Sequence, residues 1–237
     1  MHKTFKHSGD LGDIIFSLPT IRALGGGILY LDPNGGKNTG DIDLGYKDHT
    51  NLNSIGINFL RPLLLAQDYI KEVVEWRGEQ VNYNLDKFRN HVKYNNLAYS
   101  HLSAFNLNHN EADTKWLSGV NSNLEFFKNK FVISRTPKVQ GNHEFWEFQV
   151  RKIKDKCIFV GLPKEHEIFE YALGYKVEYF QVTDALHLAE CLASSGNFIG
   201  NQSMPLSIAE ALKIPLVCEI NRIYPACIFK RNEAKYV

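Results

Sequence analysis

The chain has 237 residues, 44% of them hydrophobic and 22% charged, the profile of an ordinary globular protein rather than a disordered, fibrous or membrane-spanning one, with room for one large domain or two small ones. Lysine and arginine number 27 against 26 aspartates and glutamates, a formal charge of +1, which provides no field to hold a polyanion and argues against strong nucleic-acid binding. No apolar stretch approaches the roughly 20 residues of a membrane span. The opening MHKTFKHSGD lacks the apolar core of a secretory signal, so the expected setting is the cytoplasm. Cys157, Cys191, Cys218 and Cys227 are scattered in apolar surroundings without a CxxC pair, and read as buried thiols rather than a zinc site or disulfide framework.

In chain order, residues 3–7 read as a strand, 8–13 as a glycine-containing turn, and the next stretch as a helix running to about Leu24, followed by a strand at 26–33. Beyond this the pattern weakens, and from about 80 to 125 the sequence is rich in asparagine and aromatics without a clear period. Regular rhythm returns at 130–135, 157–163, 176–182, 197–200 and 215–220, short β-rich apolar runs. These alternate with helix-spaced segments at 143–154, 164–173, 184–195 and 204–213. In the third of those, Asp184 suits an N-cap, Ala185, Leu188 and Leu192 form the apolar stripe, and Gly196 ends the helix. Such alternation implies parallel sheets covered by helices. The expected fold is α/β with two Rossmann-like domains, 1–128 and 129–237, facing across a cleft at the carboxyl ends of their strands.

Two motifs carry chemistry. In HSGDLGDIIFSLPTIRAL (7–24), Gly9 and Gly12 permit close backbone approach at a helix entry, and Asp10 and Asp13 sit three apart there. Either aspartate can serve as a cap or dipole partner. Two in one turn exceed that need, and one could take a proton from a substrate hydroxyl. Pro19 falls inside the helix, where a kink is expected. In FIGNQSMPLSIAEALKIPLVCE (198–219), a strand leads into a helix with Ser203 as N-cap and Pro205 in the first turn, and the free amides of such a helix start suit a diphosphate.

The first motif resembles the N-terminal signature of glycosyltransferase family 9, the ADP-heptose:lipopolysaccharide heptosyltransferases and their relatives, which have the GT-B fold. Gly12, Asp13, Pro19 and Leu24 match it, and the resemblance implies that Asp13, rather than Asp10, is the general base. The second motif is similar to the family's C-terminal signature: Ala211, Leu212 and Pro215 match, with Ser203 at the Ser/Thr position. Gln202 replaces the family's aspartate and Ser207 its histidine, residues that help hold the donor. By the same resemblance Arg135 and Lys138, in SRTPK (134–138), approach the donor phosphates, and Glu167 takes a strand-end position near the nucleoside. Ordinary surface charges are the competing reading for all three.

The resemblance implies an inverting, metal-independent glycosyltransferase, heptosyltransferase-like. It would move a sugar from a nucleotide-diphosphate donor to a hydroxyl acceptor, a glycan or a lipid-linked one, with Asp13 catalytic and Gly12, Arg135, Lys138, Glu167, Gln202, Ser203, Met204 and Ser207 on the donor. No cofactor is implied beyond that co-substrate. The chain is short for the family, so a degenerate nucleotide- or glycan-binding protein stays open, as does a sugar-nucleotide epimerase or hydrolase. The Asp-x-Asp at Asp41 and Asp43 is a spacing that chance readily supplies, and the histidines show no metal-binding pattern. Trp76, Trp116 and Trp146 read as packing residues, with Trp116 and the aromatics of 83–105 as an alternative sugar-stacking surface.

Overall fold

A computed structural model describes residues 2–34, 52–94, 96–137, 140–223 and 225–237. The chain forms two compact units, Met1–Gly119 with Asp184–Leu186, and Val120–Thr183 with His187–Val237. No helix among the described residues is long and apolar enough to cross a membrane.

The first unit is built on strands β1 (Lys3–His7), β2 (Gly27–Leu31), β3 (Ile70–Glu75) and β4 (Tyr83–Asn84), all parallel, in the order β3-β2-β1-β4. Helix α1 (Leu11–Ala23) is buried continuously from Ile14 to Ile21, which explains why its sequence is apolar on nearly every side rather than striped. It runs through Pro19 and ends on a glycine run. Gly25 donates to the Arg22 carbonyl at 2.9 Å and Gly26 to that of Ile21 at 2.9 Å, the paired bonds of a Schellman motif that satisfy the last carbonyls. Gly27 then opens β2.

Helix α2 (Ser54–Leu65) and β3 fall where the sequence pattern weakens. Asn53 caps α2 by accepting from the Gly56 amide at 2.8 Å. Its stripe is Ile57, Leu60, Leu63 and Leu64, a sound helical spacing that Gly56 and Pro62 disguise. After β4 the stretch expected to be irregular forms a 3-10 segment, Leu85–Tyr94, and helix α3 (Leu97–Ser103), whose cap Asn96 accepts from the Tyr99 amide at 3.1 Å. Trp116 is fully buried, which removes it as a sugar-stacking surface.

The second unit carries β5 (Phe131–Ser134), β6 (Cys157–Phe159), β7 (Glu178–Tyr179), β8 (Phe198–Asn201), β9 (Leu216–Glu219) and β10 (Ala234–Tyr236), all parallel, in the order β10-β9-β8-β5-β6-β7. Helices α4 (Pro163–Leu173), α5 (Ala185–Ser195) and α6 (Met204–Leu212) follow β6, β7 and β8. The α-helix expected over 143–154 is instead a π-helical turn, Phe145–Gln149, continued by a 3-10 segment, Val150–Lys156. This irregular stretch holds Trp146 fully buried, its ring edge-on to Phe169 with centroids 5.5 Å apart and its carbonyl accepting from the Tyr175 hydroxyl at 2.9 Å. All four cysteines are buried thiols outside any disulfide.

Gly26 has φ +70° and a side chain there would meet the Tyr69 carbonyl, its Cβ 2.2 Å from the oxygen. Gly26→Ala is therefore expected to destabilise the protein by more than about 2 kcal/mol, measured as a lower urea midpoint.

Candidate functional site

A parallel sheet that grows first to one side of its starting strand and then to the other leaves two connections diverging from neighbouring carboxyl ends, and ligands bind at that fork. In the first unit β2 and β3 lie on one side of β1 and β4 on the other, so the fork opens where β1 and β4 end. The turn after β1 holds Ser8, Gly9 and Asp10, and the segment after β4 holds Asp86.

Asp86 ties the two branches together. It accepts from the Ser8 amide at 2.9 Å and hydroxyl at 2.8 Å, and pairs with Arg89 at 2.8 Å and Lys6 at 3.2 Å. Lys6 also meets Asp32 at 2.8 Å and lies over the Trp76 ring. Burial pushes the Asp86 carboxyl up, but His7, the Ser8 donors and Arg89 outweigh it and hold the group down at about 2. Beneath the turn, the fully buried His7 accepts from the Gly9 amide through Nδ1 at 2.8 Å and meets His101 through Nε2 at 2.9 Å. Desolvation, only partly offset by Asp86, holds the His7 imidazolium down at about 4.

Asp10 takes the N-cap position of α1 but its side chain makes no capping bond. Gly12 and Asp13 form the rest of the first turn, both partly buried. The Asp13 carboxylate folds back over Gly9: a Cβ on Gly9 would lie 2.7 Å from Asp13 Oδ2 and 2.6 Å from His7 Cε1. Glycine is thus required at residue 9 by close approach, between an imidazole on one side and a carboxylate on the other.

In the second unit the corresponding fork lies between β5 and β8. Asn201, buried at the end of β8, locks it: Oδ1 accepts from the Thr136 amide at 3.0 Å and Nδ2 donates to the Thr136 carbonyl at 2.8 Å. Gln202, Ser203 and Met204, all partly exposed, line the entry to α6. The Ser203 hydroxyl donates to the Asn201 carbonyl at 3.1 Å rather than capping the helix, and Gln202 Oε1 accepts from the Asn221 amide at 2.7 Å. Met204 and Leu206 point first-turn amides out of the helix end, whereas Pro205 has none to give.

Arg135 stands beside this fork but is neither a surface cation nor an unpaired one. It is buried, binds Glu219 through Nε at 2.9 Å and Nη2 at 3.0 Å, and lies against the Trp146 ring. Glu219 also accepts from the Gly141 and Asn142 amides at 2.7 and 2.6 Å and from the Trp146 indole at 2.7 Å. Burial pushes its carboxyl up, and Arg135 with the two amides more than reverses this.

Other expected residues fall elsewhere. Ser207 is buried, with its hydroxyl returned to the Met204 carbonyl at 2.6 Å. Glu167 lies on the exposed side of α4, paired with Lys164 at 3.0 Å, while the carboxylate that turns back to the β6–α4 connection is that of Glu165 in the first turn of α4, which accepts from the Leu162 amide at 3.0 Å. Lys138 and the Asp41–Asp43 pair lie outside the described residues. Among the described residues no three His, Cys, Asp or Glu side chains converge as a metal site. Sequence reasoning missed Asp86, His101, Asn201 and Glu219, since each acquires its role only through a partner distant in the chain.

Removing the Arg135 cation would leave Glu219 charged, buried and dependent on neutral donors alone. Arg135→Met is expected to cost on the order of 3–5 kcal/mol in urea unfolding at pH 7. Glu219 has its folded pKa lowered from 4.5, so its stabilisation is present above the unfolded value and lost as pH falls through the folded one. The variant's deficit should therefore shrink in acid.

Neither a protein-family model nor a curated protein matches the sequence. Solved structures do resemble this one along its whole length. A glycosyl transferase family 9 protein from Veillonella parvula superposes with a TM-score of 0.58 at 11% identity, over 99% of this chain and 84% of its own. E. coli heptosyltransferase WaaC, with ADP-2-deoxy-2-fluoro heptose, gives 0.57 at 11% identity, over 100% and 93%. E. coli ADP-heptose lps heptosyltransferase II gives 0.53 at 10% identity, over 100% and 90%. At these identities the likeness speaks for fold, and the fold of this chain is that of the GT-B heptosyltransferases, an α/β architecture with two parallel sheets.

Proposed function

We propose that the protein is a glycosyltransferase that moves a sugar from a nucleotide-diphosphate donor to a hydroxyl acceptor, with inversion and without a metal. The observation that carries this reading is the place of Asp13: a partly buried carboxylate on the first helical turn after β1, at the fork of a parallel sheet, in a chain with the heptosyltransferase fold. WaaC was solved with an ADP-sugar analogue, which supports a nucleotide-diphosphate sugar as the ligand class.

In this reading Asp13 accepts the proton of the acceptor hydroxyl as its oxygen attacks the anomeric carbon, and the bond from that carbon to the diphosphate breaks. The leaving diphosphate is held at the start of α6, by the amides around Ser203 and Met204 with Gln202 beside them, and Lys138 contributes charge. Arg135, engaged by Glu219, acts on this site through Glu219 and its hold on the Gly141 and Asn142 amides rather than as a direct phosphate ligand.

That engagement favours one alternative, a protein that binds a nucleotide-sugar without turnover, because the cation and the Ser207 hydroxyl are both committed internally. Asp13→Asn separates the two. Transfer, or slow hydrolysis of the nucleotide-sugar without acceptor, should fall by about 10²- to 10⁴-fold, while nucleotide binding by thermal shift stays unchanged. Equal turnover in the variant overturns the assignment of Asp13, and absence of turnover in both proteins across a donor panel favours the binder.

A further inference from the structure

The buried imidazole pair beneath the first fork has one consistent arrangement of protons. The Leu97 carbonyl can only accept, so His101 Nδ1, 2.8 Å away, carries a hydrogen. In the neutral ring that leaves His101 Nε2 bare, and it accepts from His7 Nε2–H at 2.9 Å. His7 Nδ1 is then bare in turn, and it receives the Gly9 amide at 2.8 Å. Every ring nitrogen is satisfied by this one chain of bonds, which begins at a carbonyl of α3 and ends at the backbone of the turn between β1 and α1. Phe88 stacks on His101 with centroids 4.1 Å apart and 16° between planes, so the ring at the middle of the chain is fixed in orientation.

From this geometry we infer that the His7–His101 pair is a positioning device: it holds the Gly9 backbone in place and thereby sets where the Asp13 carboxylate stands. The link to Asp13 is close approach: on the face of Gly9 where a side chain would stand, a Cβ would come within 2.6 Å of His7 Cε1 and 2.7 Å of Asp13 Oδ2. Movement of the Gly9 backbone toward that face therefore presses on the carboxylate as well as on the ring. This rests on the reading of Asp13 as the proton acceptor, and it goes further by assigning the residues behind it.

The pair also makes the turn sensitive to acid. Protonation at His7 Nδ1 would set an N–H against the Gly9 N–H, replacing an acceptor by a donor. Burial opposes the proton most; Asp86, 3.7 Å away, favours it, and Arg89 and Lys6 oppose it, while a charge on His7 in turn holds His101 neutral. Asp13 approaches from the α1 side.

The test uses the full chain and two substitutions. His7→Phe keeps a buried ring and removes the acceptor. His7→Asn keeps an acceptor, since an asparagine side chain bonds the amide two residues on in an Asx turn, and it does not titrate. At pH 7 the Gly9 amide should be protected from hydrogen exchange in the wild type and in His7→Asn, and should lose at least tenfold of its protection in His7→Phe. As pH falls toward 4 the wild type should lose that protection and His7→Asn should keep it. Transfer by His7→Phe should drop in kcat on the order of 100-fold with donor affinity within about threefold of wild type, and His7→Asn should recover most of it. Unchanged Gly9 protection in His7→Phe overturns the proposal, as does equal kcat in the two variants. The exchange measurement needs no turnover, so it decides the positioning even where Asp13→Asn has overturned the catalytic reading.

Discussion

A carboxylate removed from water has to be met by donors on every side, and in each unit of this protein the fork of the parallel sheet is assembled around one. Asp86 gathers the Ser8 amide and hydroxyl, Lys6 and Arg89 in the first unit. Glu219 gathers Arg135, two backbone amides and an indole in the second. Diverging connections leave backbone donors without strand or helix partners, and a single acid reaching across the fork satisfies several of them at once. The Ser8 turn, the 141–142 backbone and the seat of Trp146 all follow from that requirement.

The two forks differ in what they leave for chemistry. At β1 and β4 the anchoring acid stands behind the turn, and the buried histidines support the same turn from below without carrying charge at neutral pH. Asp13 stands on the first helical turn, close over Gly9. At β5 and β8 the strongest charge, Arg135, is drawn inward, and the outward-facing groups are helix-end amides and the neutral side chains of Gln202 and Ser203. On the proposed reading, Asp13 on the first fork is the base and the neutral helix start on the second is the phosphate site.

Much of this could be read from residue order. The alternation after residue 130 predicts five of the six strands of the second sheet, because buried parallel strands are short apolar runs and their crossover helices are striped. Gly9 and the Gly12–Asp13 pair mark the first strand-turn-helix unit for similar local reasons. Helix α2 was hidden by Gly56 and Pro62, which lower helix propensity while tertiary packing of Leu60, Leu63 and Leu64 overrides it. The segment 143–154 has the spacing of an ordinary helix because π and 3-10 turns share its approximate period. The polar side chains that bind the forks were not legible at all: Asp86 lies 78 residues from Ser8, and Glu219 84 from Arg135. A charge in the sequence carries no mark of whether it will face solvent or a distant partner.

Trp146 has a consequence of another kind. Its indole donates to a buried carboxylate while a guanidinium lies 5.3 Å from the ring centre, so its excited state sits in a strong, fixed electric field set by Arg135 and Glu219. Emission energy follows such a field. The protein thus contains an optical gauge of the order around its second fork, with the other two tryptophans belonging to the first unit.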